Sequence, residues 1–396
     1  MKTIFFLIFL AAFLTGCQSK SGQKGDLPVI DLSKKYSQKE VHLGSIADVE
    51  YLPLETTSEV LLDQDAKIFY FCEKYILVLN QRLGEILAFD RNGKNIKSFR
   101  IPHGPGPMEF ARIERIAFDD VSQEIYLFDV VGKILVYSLT GEYVRTMEQI
   151  PGLNSFSCML NFDEETFLIY QEYAKRGDNK PPENPYSLVS KDDGSVVFSF
   201  DINFYDRFPI AVLDLETFTV YEYTFPVNRH FGQDFVIADI SSDTVFMLTK
   251  QRELKPLLVR TPTVVDSSEP RTVWRTELTT DKFIVLRTMV MNFERFIATG
   301  ERDRNPVFIK YEFETGQISE VVSFIIDDYP TFNWESARQL FFDVVDNPQK
   351  NVAVKLLDVA LLKEAQEENK LKGELDKLVA TLGEEDNPVI MIVNFK

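Results

Sequence analysis

The stretch that decides the fold occurs twice, as ILVLNQRLGEILAFDRNGKNIKSF over residues 76–99 and as IYLFDVVGKILVYSLTGEYVRTM over residues 125–147. In both copies, short apolar runs alternate with turns that contain a glycine. Corresponding glycines lie 48 residues apart, in the pairs Gly84 and Gly132, and Gly93 and Gly141. Short apolar runs bounded by turn residues indicate β-strands. A strand–turn unit repeated at this spacing is typical of the blades of a β-propeller.

Further units follow at a similar spacing, although they match less closely. The first two cover residues 65–100 and 113–148, and a third ends with the strand-like run 196–200. We expect strands of a fourth and a fifth unit near 219–221, 235–237, 243–248, 257–259, 283–286, 295–298, 307–313 and 321–324. A sixth unit combines residues 341–345 with a terminal strand, 389–393. The sequence therefore predicts one all-β domain over residues 41–396, a six-bladed β-propeller of four-stranded antiparallel blades, with seven blades as the alternative.

The C-terminal part departs from the strand pattern. Residues 355–382 lack proline and predict a helix, one face of which carries Leu371, Leu375, Leu378 and Leu382. Asn387 and Pro388 end this helix. The strand that follows is predicted to complete a blade begun by other chain segments, because rings of blades usually close in this way and thereby remove an exposed sheet edge. A dimer contact is the alternative role of the helix.

The N-terminus predicts export. A basic start is followed by an apolar run from Ile4 to Leu14, which is too short to span a bilayer but suits a signal peptide. The run ends in Leu14-Thr-Gly-Cys17, which resembles the bacterial lipobox. We therefore predict a signal peptide over 1–16, lipidation of Cys17, and a flexible tether over 17–40. Gln18 permits sorting to the outer membrane, facing either periplasm or medium. An ordinary signal peptide or an uncleaved anchor is the alternative.

Composition narrows the classes of function. The 396-residue chain has a formal net charge of −18 and no basic cluster, so it would repel nucleic-acid phosphates. Beyond the signal region two cysteines remain, Cys72 and Cys158, and both lie in apolar, strand-like runs. Buried thiols are the expected state, with a disulfide as the alternative in an oxidising compartment.

Three motifs resemble a known family, the six-bladed β-propeller lipoproteins related to the NHL-repeat propellers of Gram-negative bacteria. The motifs are Gly104-Pro-Gly-Pro-Met-Glu-Phe110, Ser242-Asp-Thr-Val-Phe246 and Asp386-Asn-Pro-Val-Ile-Met-Ile-Val393. The resemblance covers about residues 40–396. It departs at Met108, where the family often has glycine. It implies a propeller fold and a place in the cell envelope, and it implies hardly anything about activity, since many members have no assigned chemistry.

Three loops are candidates for a ligand or partner contact. In the first, 102–110, two glycines and several prolines would hold His103 and Glu109 in fixed positions. The second, 174–185, is proline-rich and contains Arg176. The third, 203–216, offers Phe204 and Tyr205 for stacking on a carbohydrate or peptide. In each loop a purely structural role is the alternative: an inter-blade crossover, an insertion, or the cover of a propeller edge.

Evidence for catalysis is weaker. The three histidines do not have zinc-ligand spacing, and neither a nucleophile elbow nor a P-loop occurs. We therefore expect a lipid-anchored, non-catalytic binding or scaffold module without a cofactor, whose partner is an outer-membrane protein or a glycan or peptide ligand. The alternative is a calcium-dependent hydrolase or lyase that uses channel carboxylates such as Asp119, Asp129 and Asp239. A structural member of an envelope assembly is a third hypothesis.

Overall fold

A computed structural model describes residues 27–147, 158–202, 204, 206–223, 230–266, 270–302, 306–332 and 341–396. The predicted signal peptide and Cys17 lie outside these residues, and so does Tyr205. Within the described residues, no helix has the length and apolar character needed to cross a membrane.

The described chain is built mainly of β-strands, with four short helices. The strands are β1 (Val29–Asp31), β2 (Gln38–His42), β3 (Ala47–Pro53), β4 (Lys67–Phe71), β5 (Ile76–Asn80), β6 (Glu85–Phe89), β7 (Asn95–Arg100), β8 (Ile113–Asp119), β9 (Glu124–Asp129), β10 (Ile134–Ser138), β11 (Tyr143–Met147), β12 (Cys158–Asn161), β13 (Thr166–Tyr170), β14 (Ala174–Arg176), β15 (Tyr186–Ser190), β16 (Val196–Ser199), β17 (Ala211–Asp214), β18 (Thr219–Glu222), β19 (His230–Phe231), β20 (Asp234–Ala238), β21 (Thr244–Leu248), β22 (Leu254–Thr261), β23 (Arg271–Thr279), β24 (Phe283–Met291), β25 (Val307–Glu312), β26 (Ile318–Ile325), β27 (Val352–Leu357) and β28 (Val389–Phe395). The helices are α1 (Leu43–Ile46), α2 (Phe293–Thr299), α3 (Val359–Glu367) and α4 (Gly373–Val379).

The described strands form seven sheets. Six of them are called sheets A to F here: A (β4–β7), B (β8–β11), C (β12, β13, β15, β16), D (β19–β22 with β1), E (β23–β26 with β2) and F (β27, β28, β3). The seventh, the inserted sheet, consists of β14, β17 and β18. Sheets A to C have four antiparallel strands each, in chain order. The prediction of four-stranded antiparallel units is confirmed for these three sheets, and the fold is all-β and of the propeller type.

The middle strands of the sheets are buried on both faces. All five residues of β5 and of β13 are buried, as are five of the six residues of β9. The reason is that each of sheets A to F shares an apolar cluster with the next, from A and B through to E and F, and a further cluster joins F to A. A strand that is covered on both faces needs apolar side chains at every position. Its sequence is therefore a continuous apolar run, and such runs made the repeats recognisable.

The N-terminal strands extend the edges of three sheets. Strand β1 pairs in parallel with β22 of sheet D, and β2 pairs in parallel with β26 of sheet E. Strand β3 pairs antiparallel with β28, which lies between β3 and β27 in sheet F. The flexible tether predicted over 17–40 is therefore wrong for residues 29–31 and 38–40, which form paired strands. These strands are short and their partners are distant in sequence, so local patterning does not reveal them.

The predicted fourth unit is also corrected. Strand β18, near the run 219–221 assigned to that unit, belongs to the inserted sheet instead. The other two strands of that sheet come from segments predicted as loops: β17, within 203–216, pairs with β18 on one side and with β14, at the start of 174–185, on the other. Two loops that are separate in the sequence thus pair in one small sheet. Each provides hydrogen-bond partners for backbone groups of the other.

Two further segments differ from prediction. Residues 295–298, predicted as a strand, lie in helix α2, because Asn292 caps its N-terminus through the backbone N–H of Arg295 and Gly300 ends it with φ 72°. The single helix predicted over 355–382 is instead the end of β27 followed by α3 and α4. Asn369, between those helices, and Gly373, at the start of α4, have φ of 56° and 61°, which a continuous helix does not allow. The terminal strand is confirmed as β28.

The repeated glycines close equivalent turns. Gly93 has φ 77° and donates its N–H to the carbonyl of Asp90, while Gly141 has φ 86° and donates to the carbonyl of Ser138. Only glycine adopts such angles without strain. At Gly93 a Cβ atom would also lie 2.2 Å from the carbonyl oxygen of Pro53 in β3.

We expect Gly93→Ala to lower the free energy of unfolding by about 2–3 kcal/mol, because a positive φ penalty adds to a backbone clash. Gly316→Ala is the matched control, since Gly316 has φ 68° and a Cβ atom there would have nothing within 4 Å. That control is expected to lose only about 1 kcal/mol. Urea unfolding measures both values, and equal losses would refute the role of the Pro53 contact.

Candidate functional site

The loop 102–110 is closed by its own hydrogen bonds. The N–H of Gly104 donates to the carbonyl of Phe110, whose own N–H donates to the carbonyl of Pro102 (both 3.0 Å). The Glu109 carboxylate accepts the N–H of Gly106 at 2.9 Å. Glu109, predicted as a ligand contact, therefore points into its own loop and fixes that loop's shape.

Side chains of sheet B and of its β9–β10 turn donate hydrogen bonds to the backbone of this loop. The ammonium group of Lys133 donates to the carbonyls of Gly106 (2.7 Å) and Glu109, and the hydroxyl of Tyr137 donates to the carbonyl of Met108 at 2.7 Å. Met108, where the sequence departs from the family pattern, thus anchors the loop through its backbone rather than its side chain.

His103 lies at the rim of a depression. Its ring is exposed, with Nε2 3.1 Å from the carbonyl oxygen of Ala111, which requires a proton on Nε2, and its edge packs on Phe110 with 5.3 Å between ring centroids. The depression has a volume of about 330 Å³. It is lined by Asp65, Lys67, Gln81, Arg82, His103, Phe110, Ala111 and Arg112. Three of these eight residues are cationic and one is acidic, although the whole chain is acidic.

The other two candidate loops lie on the inserted sheet and beside it. Arg176 is exposed at the end of β14, and its N–H donates to the side-chain oxygen of Asn179 at 2.7 Å. Phe204 is half-buried against an apolar cluster of sheets C and D, and the Arg207 guanidinium lies 4.6 Å from its ring centroid. The structure thus brings the second and third loops together, while the first packs on sheet B.

The three carboxylates considered for a calcium site have separate partners. Asp119 accepts from the ammonium group of Lys191 at 2.6 Å, and both side chains are buried. Asp129 accepts the N–H groups of Ala111 and Arg112. Within the part of the chain that the structure describes, no group of three or more His, Cys, Asp or Glu side chains is arranged to hold a metal ion. The calcium hypothesis receives no support from these positions.

Asp239 is the centre of a buried polar cluster that sequence reasoning missed. One of its oxygens accepts from the hydroxyls of Tyr170 (2.7 Å) and Tyr186 (3.0 Å), and the other accepts the N–H of Ser241. Burial raises the pKa of Asp239, but Arg207, Arg275 and the hydrogen bonds from Ser241 and Tyr170 together hold that pKa below its ordinary value. These residues come from separate sheets and are far apart in the sequence, so no local motif predicts the cluster.

A second missed group joins sheet D to Asp346, whose backbone pairs with β4 of sheet A. Nε2 of His230 lies 2.7 Å from Oδ1 of Asp346, and both side chains are nearly buried. Residue Tyr70 forms an isolated bridge with Asp346, and burial together with Asp120 and Asp346 raises the Tyr70 pKa. Histidine at 230 was considered in the sequence only as a zinc ligand, and its partner is more than a hundred residues away.

Sheet E contains a third buried charge. Glu277 accepts the N–H of Phe341 at 3.0 Å. Burial raises the pKa of Glu277 to about 7, against the opposing effect of the nearby Arg287 guanidinium. This carboxyl therefore changes protonation near neutral pH.

Comparison of the chain with protein families places it in one of them. A model described as a domain of unknown function, DUF4934, matches residues 27–394. The chain belongs to the DUF4934 family. The match includes sheets A to F and the inserted sheet, and therefore all three candidate loops. None of the curated proteins matches the sequence.

Solved structures resemble this DUF4934 protein at low sequence identity. A protein from Bacteroides fragilis NCTC 9343, whose name describes it as exported, has 15% identity and a TM-score of 0.61 over 93% of this chain and 99% of its own. A member of the DUF4221 family from Bacteroides vulgatus has 13% identity and a TM-score of 0.49 over 89% and 97%. The first likeness supports the fold over the 93% of the chain that it covers.

Proposed function

We propose that this DUF4934 protein is a lipid-anchored, non-catalytic propeller of the cell envelope that binds a partner protein or an extracellular ligand. Its binding surface is formed by the loops 102–110, 174–185 and 203–216. The proposal rests on the connections between strands, whose lengths differ between the two ends of the sheets.

Connections at one end of the sheets are short. In sheets A to E, the turns that join the first strand to the second and the third to the fourth have two to five residues. The other connections leave from the opposite end, because antiparallel strands alternate in direction. They include all three candidate loops, the inserted sheet and helices α2 to α4. Long, shaped connections gathered on a rigid β-scaffold are where proteins place binding residues.

The propeller is proposed to have six blades closed into a ring. The proposal is supported by the apolar cluster that joins sheet F to sheet A, with Ile390 and Ile392 on one side and Ile76 and Phe89 on the other. It is also supported by β3, which pairs with β28 and so ties an N-terminal strand to a C-terminal one. Such closure protects sheet edges from other chains.

Location in the outer membrane is proposed from the lipobox at Leu14–Cys17. The name of the Bacteroides fragilis protein, which describes export, is consistent with this location. Lipidation of Cys17 would keep the binding surface close to the membrane, since an extended tether gains only about 3.3–3.6 Å per residue.

A crosslinked pull-down of tagged full-length protein from native outer membranes tests this proposal. We expect a stoichiometric partner or ligand, and we expect at least a tenfold loss of it in the variant His103→Ala/Arg176→Ala/Phe204→Ala. The control Lys74→Ala/Asp192→Ala alters exposed residues in the short turns at the opposite end. Capture that is unchanged in the loop variant, or equally reduced in the control, would reject the assigned surface.

A further inference from the structure

Arg207 is a buried cation whose hydrogen bonds are incomplete. Its side chain is only 7% exposed. Its Nε and Nη1 atoms are buried and find no hydrogen-bond partner among the described residues. Nη2 lies 4.0 Å from the nearest carboxylate oxygen, Oδ2 of Asp239, which is too far for a hydrogen bond. A guanidinium in this state lacks compensation for most of the hydration that it lost on burial.

The neighbouring Asp239 carboxylate is held out of hydrogen-bonding distance of Arg207 by its other partners. Oδ2 of Asp239 already accepts from the hydroxyls of Tyr170 and Tyr186, and Oδ1 accepts the N–H of Ser241. Turning Asp239 toward Arg207 would break these bonds. The missing acceptor for Arg207 must therefore come from outside this set.

Aromatic rings and a second cation shape the surroundings of Arg207. The centroid of the Phe204 ring lies 4.6 Å from its guanidinium carbon, and the centroid of the Phe208 ring, on the adjacent residue, lies 4.0 Å from the guanidinium carbon of Arg271. Arg275, which is 1% exposed, bonds Glu172 at 2.7 Å and lies near the same Asp239. Stacked, weakly hydrated guanidinium groups are the ones that proteins use to bind carboxylate, sulfate and phosphate.

We propose that Arg207 is the centre of a binding site for a small oxyanion, a carboxylate, sulfate or phosphate group, at the base of the loop 203–216. The oxyanion accepts from Nε or Nη1 of Arg207, whose guanidinium lies against the ring of Phe204. This inference deepens the proposed function, because it names the chemistry recognised by one of the three loops. It needs neither the lipid anchor nor a protein partner.

The test is a titration of full-length protein with sodium phosphate, sodium sulfate or sodium glucuronate, against sodium chloride at matched ionic strength. Isothermal titration calorimetry is expected to give saturable binding of at least one oxyanion, and the melting temperature is expected to rise with that oxyanion but not with chloride. The three oxyanions distinguish a phosphate or sulfate source from an acidic sugar. Saturation by none of them overturns the proposal.

Two variants identify the residue. Arg207→Gln is expected to weaken the oxyanion at least tenfold, whereas Arg295→Gln, which removes an exposed arginine, is expected to leave it unchanged. Equal affinity in wild type and Arg207→Gln overturns the assignment. If Arg207→Gln does not fold, crystals of wild type soaked in selenate decide: an anomalous peak within hydrogen-bond distance of Arg207 supports the site, and ordered water only overturns it. Because the pull-down uses a different readout, either proposal can fail alone.

Discussion

Replacing Asp239 by alanine is expected to lower the free energy of unfolding by about 3–5 kcal/mol, the usual loss when one partner of a buried charge pair is removed. The side chain is fully buried and accepts from Tyr170 and Tyr186, while Arg207 and Arg275 lie close enough to lower its pKa. Alanine would remove the carboxylate that both hydroxyls donate to and the nearest counter-charge of Arg207. Urea unfolding monitored by tryptophan fluorescence measures the loss.

One further variant separates the charge of Asp239 from its hydrogen bonding, and a second serves as a control. Asp239→Asn keeps an acceptor for the hydroxyls but removes the charge, so we expect an intermediate loss. Asp192→Ala, at an exposed turn, is expected to change stability by less than about 0.5 kcal/mol. A loss below about 1 kcal/mol in Asp239→Ala would show that the cluster contributes little to stability.

Stability is expected to fall as pH rises from about 5 to about 8, in part because of Glu277. Burial raises the pKa of Glu277 from 4.5 to about 7, so the folded protein holds this proton over a pH range in which the unfolded chain has released it. The contribution of Glu277 is fully present below the unfolded pKa and is lost as pH rises through the folded pKa. By linkage, the difference amounts to about 3 kcal/mol.

Glu277→Gln is expected to flatten this part of the pH profile and to make the protein more stable than wild type at pH 8. Glutamine still offers a carbonyl oxygen to the N–H of Phe341, so the hydrogen bond is retained. Urea unfolding of both proteins at pH 5, 6, 7 and 8 gives the difference, and Glu216→Gln, at an exposed position, is the control. Parallel profiles for wild type and Glu277→Gln would contradict the raised pKa.

The repeats were predictable because two independent local signals agree there. Continuous apolar runs such as Ile76–Asn80 fit strands covered on both faces, and Gly93 and Gly141 fit turns that need positive φ. Segment 295–298 was misassigned because an apolar run of this length suits either a strand or a helix. The flanking Asn292 and Gly300 are the cap residues that indicate the helix, and they were the better signal.

The edge strands and the polar clusters could not be predicted in the same way. Strand β1 depends on pairing with β22, more than two hundred residues later, and its own three residues carry little information. Asp239 meets Tyr170 and Tyr186 only after three strands from two sheets have packed. Loop 102–110 is closed by its own hydrogen bonds, and its glutamate, predicted as a ligand contact, bonds the loop itself.

Because β28 lies in the middle of sheet F, this sheet cannot form until the C-terminal strand has been synthesised. Its two neighbours are β3, made early in synthesis, and β27. At about 5–20 residues per second, a ribosome needs about 20–70 s between β3 and β28. During that time β3 has no pairing partner in its sheet. A chain interrupted before residue 389 therefore keeps β3 and β27 as open edges next to exposed apolar faces, and proteases or chaperones can distinguish it from the finished product.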